Sequence, residues 1–145
     1  MIDGLLNAGA IPALEQTVRF AAQRQRLIAH NVANMSTPDY LTQDVSVSDF
    51  QKTLGRAIDE RRAQTGGAFG DLKMQPTSEL KFDARGELQL VPSTDSDNLL
   101  FHDRNNRNLE EEMQKLAENA GVYRTATELL RTRYDLLRGA IRETA

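Results

Sequence analysis

The chain has 145 residues, the length of a single domain, but only 39% are hydrophobic and the mean hydropathy is −0.54, which leaves little apolar material for a large core. The 18 basic and 21 acidic residues are mixed along the sequence with a formal net charge of −3, so no broad positive surface favours nucleic acid or anionic lipid. The absence of cysteine excludes disulfides and thiolate metal sites, and no apolar run approaches the roughly 20 residues that cross a membrane.

The N-terminal segment, residues 1–40, is predicted to contain one long helix and a tight turn. Its first residues, MIDGLLN, have no basic stretch and no long apolar stretch, so we expect no cleavable secretory signal and any export by another route. A helix is predicted from Pro12 to Asn34, because a 4-3 repeat runs through it and Pro38 prevents its continuation. The repeat comprises Ile11, Leu14, Val18, Ala21, Gln25, Ile28 and Val32. Asn34 tolerates the left-handed conformation that often ends a helix, and residues 37–40, TPDY, predict a tight turn.

The middle segment, residues 41–107, is predicted to be irregular with short elements. Alternation at 45–48 predicts a weak strand, and a capping box at 48–51 predicts a short helix. The buried stripe of that helix would comprise Phe50, Leu54, Ala57 and Ile58. Residues 64–79 lack periodicity and contain several glycines, which predicts a mobile loop. The last two predicted features are a β-hairpin, with strands at 80–82 and 88–90, and a polar linker at 92–108.

The C-terminal segment, residues 108–145, is predicted to be one helix on the order of 50 Å long, at about 1.5 Å per residue. Asn108 is expected to cap it, and three glutamates at 110–112 place negative charge at the positive end of the helix dipole. A 4-3 repeat through this helix requires one face to be buried against another helix. That seam comprises Leu109, Met113, Leu116, Ala120, Tyr123, Thr127, Leu130, Tyr134, Leu137 and Ile141.

The two repeats together predict a mainly α fold, with long N- and C-terminal helices paired as a coiled coil around a small irregular or hairpin-containing middle. The C-terminal apolar face is also wider than one partner covers, because Ala117, Leu129 and Leu136 lie beside the seam. We therefore expect part of this helix to contact neighbouring molecules.

Residues suited to catalysis or metal binding are sparse. His30 and His102 lie in different predicted elements and have no cysteine or histidine companion, so we expect no metal and no cofactor. Acidic pairs such as Glu110 with Glu112 have the chemistry for glycosidic cleavage, but nothing places them in an apolar cleft. The glycine-rich residues 65–70 lack the Gly-Lys-Ser/Thr of a phosphate loop. The sequence thus predicts no catalytic residue and no enzyme.

The motif at the end of the first helix resembles a known signature. Within residues 14–40, LEQTVRFAAQRQRLIAHNVANMSTPDY, an Asn-x-x-Asn pair is followed directly by Thr-Pro-Asp-Tyr. This resembles the N-terminal signature of bacterial flagellar rod and hook proteins, in which Asn-x-x-Asn precedes Thr-Pro-Gly-Tyr. The short chain, the missing insertion between the motifs and NRNLEEEMQKLAEN at 106–119 resemble most the proximal rod members of that family. Asp39 stands where the family usually has glycine, and Asn108 replaces an acidic residue.

The resemblance, which covers both termini but not the middle, implies a function in assembly. Axial flagellar proteins stack their paired terminal helices into a tube, here the rod that spans the periplasm, transmits torque and conducts exported subunits. The implied partners are copies of the chain, other rod proteins, the rod-base adaptor and the membrane export gate, and the implied export route is the flagellar type III apparatus. The residues implied in assembly are Asn31, Asn34, Thr37, Pro38, Tyr40, Leu109, Met113, Leu116, Tyr123, Leu130, Tyr134, Leu137 and Ile141.

Two alternatives from other classes stay open at this point. A cytoplasmic coiled-coil adaptor or export chaperone would form a closed dimer, whereas a rod subunit would form an open assembly through unlike surfaces. A peptidoglycan-cleaving enzyme acting near the rod would need a carboxylate in a cleft, which the sequence does not indicate.

Overall fold

The computed structural model describes residues 9–67, 69–94 and 109–143 and is mainly helical, as the sequence predicts. In chain order the elements are α1 (Ile11–Asn34), β1 (Gln43–Asp44), α2 (Val47–Thr65), β2 (Leu80–Phe82), β3 (Leu88–Leu90), β4 (Ser93–Thr94) and α3 (Leu109–Glu143). The strands form two separate two-stranded antiparallel sheets, β1 with β4 and β2 with β3. Within these ranges no helix is both long enough and apolar enough to cross a membrane.

The predicted N-terminal helix is confirmed as α1, and its repeat is largely buried. Ile11, Ala21 and Ile28 are each at most 2% exposed. The helix ends differently from the prediction: the Asn34 side chain folds back, and its Nδ2 donates to the carbonyl oxygen of His30 at 2.9 Å. The left-handed backbone falls instead at Asp39, with φ 57°, inside the turn. Aspartate tolerates this conformation better than most residues.

The predicted strand at 45–48 and the start of the following helix are wrong by a few residues. The strand is β1, at Gln43–Asp44, and α2 already begins at Val47. The reason lies in two side chains that occupy the backbone donors beyond β1. The amide of Val45 donates to the carboxylate of Asp44 at 2.8 Å, and the amide of Ser46 donates to Glu79 Oε2 at 2.7 Å, so the strand ladder stops there.

The predicted linker at 92–108 also contains structure at its start. Ser93–Thr94 forms β4, which pairs with β1 in the register Gln43 with Thr94 and Asp44 with Ser93. The Ser93 hydroxyl donates to Glu79 Oε1 at 2.8 Å, so one carboxylate holds both ends of this small sheet. The rest of the linker and the predicted cap Asn108 lie outside the described residues.

The predicted β-hairpin is confirmed in β2 and β3, which pair Leu80 with Leu90 and Phe82 with Leu88. Its turn uses the carboxylate of Asp83, which accepts from the amides of residues 85 and 87, and Gly86 at φ 75°. Leu80 and Leu88 are at most 3% exposed. The hairpin is attached to α1 through Gln23, whose amide side chain bonds the backbone of β3 at both Leu88 and Leu90.

The chain forms two compact units that divide α1 and α3 between them. The first contains Met1–Arg19, Val47–Gln75 and Tyr123–Ala145, and the second contains Phe20–Ser46 and Pro76–Val122. In the first unit, the described core side chains are Ile11, Phe50, Thr53, Ala57, Arg61, Met74 and Ala126. In the second they include Phe20, Ala21, Ile28, Val45, Leu80 and Leu88.

The predicted stripe of α2 is partly confirmed, and one charged residue was missed. Phe50 and Ala57 are buried, whereas Leu54 and Ile58 are half-buried. Arg61 is buried as well, because its guanidinium donates from Nη1 to the carbonyl oxygen of Gly9 at 2.8 Å and makes a longer bond to that of Phe69. The glycine-rich stretch after α2 contains no helix or strand in its described part.

Candidate functional site

The first motif asparagine, Asn31, is the centre of a buried polar cluster. It is 1% exposed, and its side-chain Nδ2 donates to the carbonyl oxygen of Gln43 at 2.8 Å and to Glu112 Oε2 at 3.1 Å. Its Oδ1 accepts from the amide of Gln43 at 3.1 Å and from the hydroxyl of Tyr40 at 2.9 Å. An asparagine amide has two donor hydrogens and room for two acceptor bonds, so its capacity is fully used. Asn31 thus joins the end of α1, strand β1 and the start of α3.

The motif tyrosine, Tyr40, closes one side of this cluster. Its hydroxyl lies 2.9 Å from Asn31 Oδ1 and 2.9 Å from His30 Nδ1. Since the single hydroxyl hydrogen is donated to Asn31, His30 must carry its hydrogen on Nδ1 and donate it to the tyrosine oxygen. Burial raises the pKa of Tyr40, and the negative charge of Glu112 raises it further.

Charged side chains around Asn31 complete the cluster in pairs. Arg24, 8% exposed, donates to both carboxylate oxygens of Asp44 at 2.9 and 2.7 Å. The ammonium of Lys115 lies 3.1 Å from Glu111 and 3.3 Å from Glu112, which is itself 3% exposed. Burial lowers the pKa of Lys115, but its hydrogen bonds and the charges of Glu111 and Glu112 outweigh that effect, so the pKa is raised. Buried charges persist only when paired in this way.

This arrangement is suited to holding segments together. The buried carboxylates of the cluster are occupied by hydrogen bonds and ion pairs. In the part of the chain that the structure describes, no group of three or more His, Cys, Asp or Glu residues is placed to hold a metal ion. The chemistry available to the cluster is therefore the fixing of α1 against β1 and α3.

The remaining motif residues shape the turn and do not enter the cluster. Asn34 bonds the last turn of α1, and the amide of Thr37 donates to the carbonyl oxygen of Asn34 at 2.9 Å. The amide of Tyr40 donates to the carbonyl oxygen of Thr37 at 3.3 Å. Thr37 and Pro38 are exposed. The structure thus brings Asn31 and Tyr40 together and leaves Thr37 and Pro38 at the surface.

The predicted C-terminal seam is only partly buried. Leu116, Leu130, Tyr134 and Leu137 are half-buried, whereas Leu109, Met113, Tyr123 and Ile141 are between 41% and 55% exposed. The buried positions of α3 are Glu112, Asn119 and Ala126. Each precedes by one residue a predicted seam position: Met113, Ala120 and Thr127.

The offset has a physical cause in polar partners on α1. Glu112 bonds Asn31, and Asn119 bonds Gln25, so these side chains turn inward in place of their apolar neighbours. Their order along the chain makes α3 antiparallel to α1 within the second unit. The seven-residue spacing of 112, 119 and 126 was the sequence signal for this face, and the wholly apolar seam obscured it. Arg24, Gln43, Asp44 and Lys115 were also missed.

The first unit contains a separate polar contact between the same two helices. The hydroxyl of Tyr134 donates to Glu15 Oε1 at 2.6 Å. This hydrogen bond raises the pKa of Tyr134, with smaller contributions in the same direction from burial and from the charge of Glu15. Of the predicted seam tyrosines, Tyr134 therefore faces α1, whereas Tyr123 is 41% exposed.

The outer side of α3 exposes large apolar side chains. Val122, Leu129 and Leu136 follow one another at intervals of seven residues and are 50%, 51% and 61% exposed. Because seven residues are close to two helical turns, they lie along one side of the helix. Leu129 and Leu136 are the residues predicted to widen the apolar face beyond the seam.

Comparison with known proteins identifies relatives over most of the chain. No family model matches it. It is 29% identical over 133 residues to the flagellar basal body rod protein FlgB of Salmonella typhimurium, which covers 90% of this chain and 89% of that protein. It is 32% identical over 110 residues to the flagellar basal body rod protein FlgB of Borrelia hermsii, which covers 73% of this chain and 76% of that protein.

The long terminal helices, the motif cluster and these relatives define a structural protein of the bacterial flagellum. The resemblance of residues 14–40 to flagellar axial proteins is thereby confirmed. The chain belongs to the FlgB family of flagellar basal body rod proteins. Its broad function is that of a rod component in motility.

Proposed function

We propose that the protein is a subunit of the proximal rod, which assembles through its terminal helices into a tube that transmits torque and conducts exported subunits. The observation that carries this proposal is the apolar outer side of α3, where Leu129 and Leu136 are more than half exposed. Large exposed apolar side chains in a regular row are typical of a surface that another molecule covers. A stacked subunit needs such a surface in addition to its own core.

The pairing of α1 and α3 as a coiled coil is part of the same proposal. It is supported by polar contacts between the helices, one in the first unit at Tyr134 and others in the second unit at Glu112 and Asn119. Torque in a noncovalent tube has to pass through many contacts per subunit, because a single contact is weak. Long paired helices supply that area, and exposed arginines such as Arg131 and Arg138 select partners.

The proposed partners are copies of the chain, other rod proteins, the rod-base adaptor and the membrane export gate. The proposed location is the periplasm-spanning rod, reached by type III export without a cleavable signal. We propose that none of these roles involves catalysis, and that the motif and seam residues act through packing. The paired carboxylates around Asn31 support that reading, because a general acid or base needs access to a substrate.

The closed-dimer adaptor is the second candidate, since the Leu129 and Leu136 side could also pair with its own copy. The two candidates differ in how assembly depends on concentration. A closed dimer reaches a limit, whereas contacts between unlike surfaces continue to add subunits. Sedimentation and negative-stain imaging over a concentration series should give growing assemblies, and a dimer that does not grow would favour the adaptor.

A substitution at the exposed stripe tests the proposal directly. Leu129→Asp and Leu136→Asp place a charge on a surface that is exposed in the subunit, so the free protein should fold normally. In a stacked rod the charge would be buried without a partner, and incorporation should fall at least tenfold. Thr127→Asp is the matched control, because it adds the same charge at an exposed polar position on another side of α3.

The measurement is cell fractionation with isolation of basal bodies. Export of the Leu129→Asp subunit should be normal while its amount in basal bodies falls, and the Thr127→Asp subunit should be incorporated. Normal incorporation of both leucine variants would contradict the assembly role of this side of α3.

A further inference from the structure

A second buried amide, Asn119 of α3, lies outside the motif cluster. It is 4% exposed, and its Nδ2 donates to the backbone oxygen of Ala21 at 2.8 Å and to Gln25 Oε1 at 2.7 Å. Ala21 is fully buried, and its small side chain lets the amide reach the backbone of α1. Within the second unit, a polar layer therefore crosses between the two terminal helices.

The positions around this layer on α1 are apolar. One heptad away from Ala21 and Gln25, in either direction, all four residues are aliphatic: Leu14, Val18, Ile28 and Val32. A shift of α3 by one heptad along α1 would place the Asn119 amide against such side chains. Both of its hydrogen bonds would then be lost while it stayed buried, which is strongly unfavourable.

The apolar residues alone do not give this discrimination. A 4-3 repeat presents a similar surface after every heptad, so aliphatic layers pack acceptably in more than one alignment. A single polar layer between aliphatic layers removes that ambiguity at the expense of some stability. The Asn119 and Gln25 amides have the burial, the distances and the surroundings that such a device requires.

We infer that the contact between Asn119 and Gln25 sets the alignment of α3 along α1, and that its contribution to stability is secondary. Replacement of both amides by leucine turns the layer into an aliphatic one like its neighbours. The native alignment then competes with alignments shifted by a heptad. The consequence for assembly rests on the proposed rod function, because stacked copies must present the same side chains, but the alignment itself does not.

The alignment can be measured by the distance between two spin labels. The chain contains no cysteine, so labels attach only where cysteines are introduced. Arg26→Cys on α1 and Ala117→Cys on α3 are exposed sites in the second unit. The otherwise unchanged full-length protein should give one narrow distance distribution by pulsed electron resonance. The Gln25→Leu/Asn119→Leu variant should add a component shifted by up to about 10 Å, one heptad at about 1.5 Å per residue.

Unfolding and a matched control distinguish alignment from ordinary stabilisation. The urea midpoint of the double variant should be equal to or higher than that of the parent. Gln114→Leu also removes an amide from α3, but an exposed one bonded to Glu118, and it should leave the single distance unchanged. A double variant with the parent distance, a lowered midpoint without a second distance, or a broad distribution in the parent protein would overturn the inference.

A separate arm tests the consequence for assembly. Basal bodies isolated from cells with the unlabelled double variant should contain less of the subunit than parent cells, although the free protein is as stable. Normal basal bodies combined with a second spin-label distance would support the alignment role and contradict its importance for stacking.

Discussion

At the scale of single residues, the family motif is explained by hydrogen-bonding capacity. Asn31 makes four side-chain bonds to three segments, and another residue of similar size cannot supply two donors and two acceptor bonds at the same place. Aspartate has no donor and leucine has neither. Tyr40, in contrast, contributes one donated bond and accepts one at the edge of the cluster.

Asn31→Leu should therefore lower the free energy of unfolding by about 2 to 4 kcal/mol, because it leaves buried polar groups of Gln43 and Glu112 without their partner. Tyr40→Phe should lower it by about 1 kcal/mol, the contribution of a typical hydrogen bond. Urea denaturation followed by circular dichroism measures both. Thr37→Ala is the exposed control within the motif and should change stability by less than about 0.5 kcal/mol. Equal effects of Asn31→Leu and Thr37→Ala would contradict the central role of Asn31.

Asp39→Gly should stabilise the protein slightly. Asp39 has φ 57°, and a side chain in this region is strained by about 1 kcal/mol or more, which glycine relieves. The greater freedom of glycine in the unfolded chain opposes this gain, so the net increase should be below about 1 kcal/mol. Ser36→Gly, in the same turn but without a positive φ, should be destabilising. If both glycine variants are less stable in urea, strain at Asp39 is not the dominant effect.

At the scale of elements, the sequence predicts whatever depends on local pattern. The apolar repeats locate α1 and α3 to within a residue, and the loop containing Gly86 locates the hairpin. Elements fixed by distant side chains could not be predicted. The strands β1 and β4 have two residues each, too few for any periodicity, and depend on Glu79 between them.

The candidate site was predictable in the same uneven way. The motif identified Asn31 and Tyr40, but their partner Glu112 lies 81 residues from Asn31, and its burial depends on that partner. A glutamate in the first turn of a helix is usually a solvated charge near the dipole, so local rules favoured the wrong face. The same reasoning explains why Met113 was expected inside and is 42% exposed.

Glu79→Ala should open the small sheet of β1 and β4. The carboxylate accepts from Ser46 and from Ser93, and bonds to charged groups contribute about 1.5 to 3 kcal/mol each before any relaxation. We expect a loss of about 2 kcal/mol in the free energy of unfolding and faster hydrogen exchange at the Ser46 amide. Glu87→Ala removes an exposed carboxylate from the hairpin loop and serves as the control. Unchanged exchange at Ser46 would show that the sheet does not depend on Glu79.

At the scale of the whole molecule, the perturbed titrating groups act in one direction. Tyr40, Lys115 and Tyr134 all have a raised pKa in the folded protein. Folding therefore favours their protonated forms, and the stability they contribute is fully present below their unfolded pKa values, near 10. That stability is lost as the pH rises through the higher folded values.

The urea midpoint should accordingly fall above about pH 10 more steeply than in a Tyr40→Phe/Tyr134→Phe variant, which retains only the Lys115 contribution. Between pH 7 and 9 these three groups should add no pH dependence in either protein. Parallel curves for the two proteins up to pH 11 would contradict the assigned tyrosine environments.

The long sequence separation of the contacts to Asn31 and Tyr134 has a consequence for the order in which the fold can form. Glu112 is 81 residues from Asn31, and Glu15 is 119 residues from Tyr134. A chain that enters a compartment with its N-terminus first can form α1 and the hairpin early, but Asn31 keeps an unfilled bond until α3 has arrived. Large loops must close before these contacts form, which slows folding. The same pairs that join the helices at equilibrium therefore also delay completion of the fold until nearly the whole chain is present.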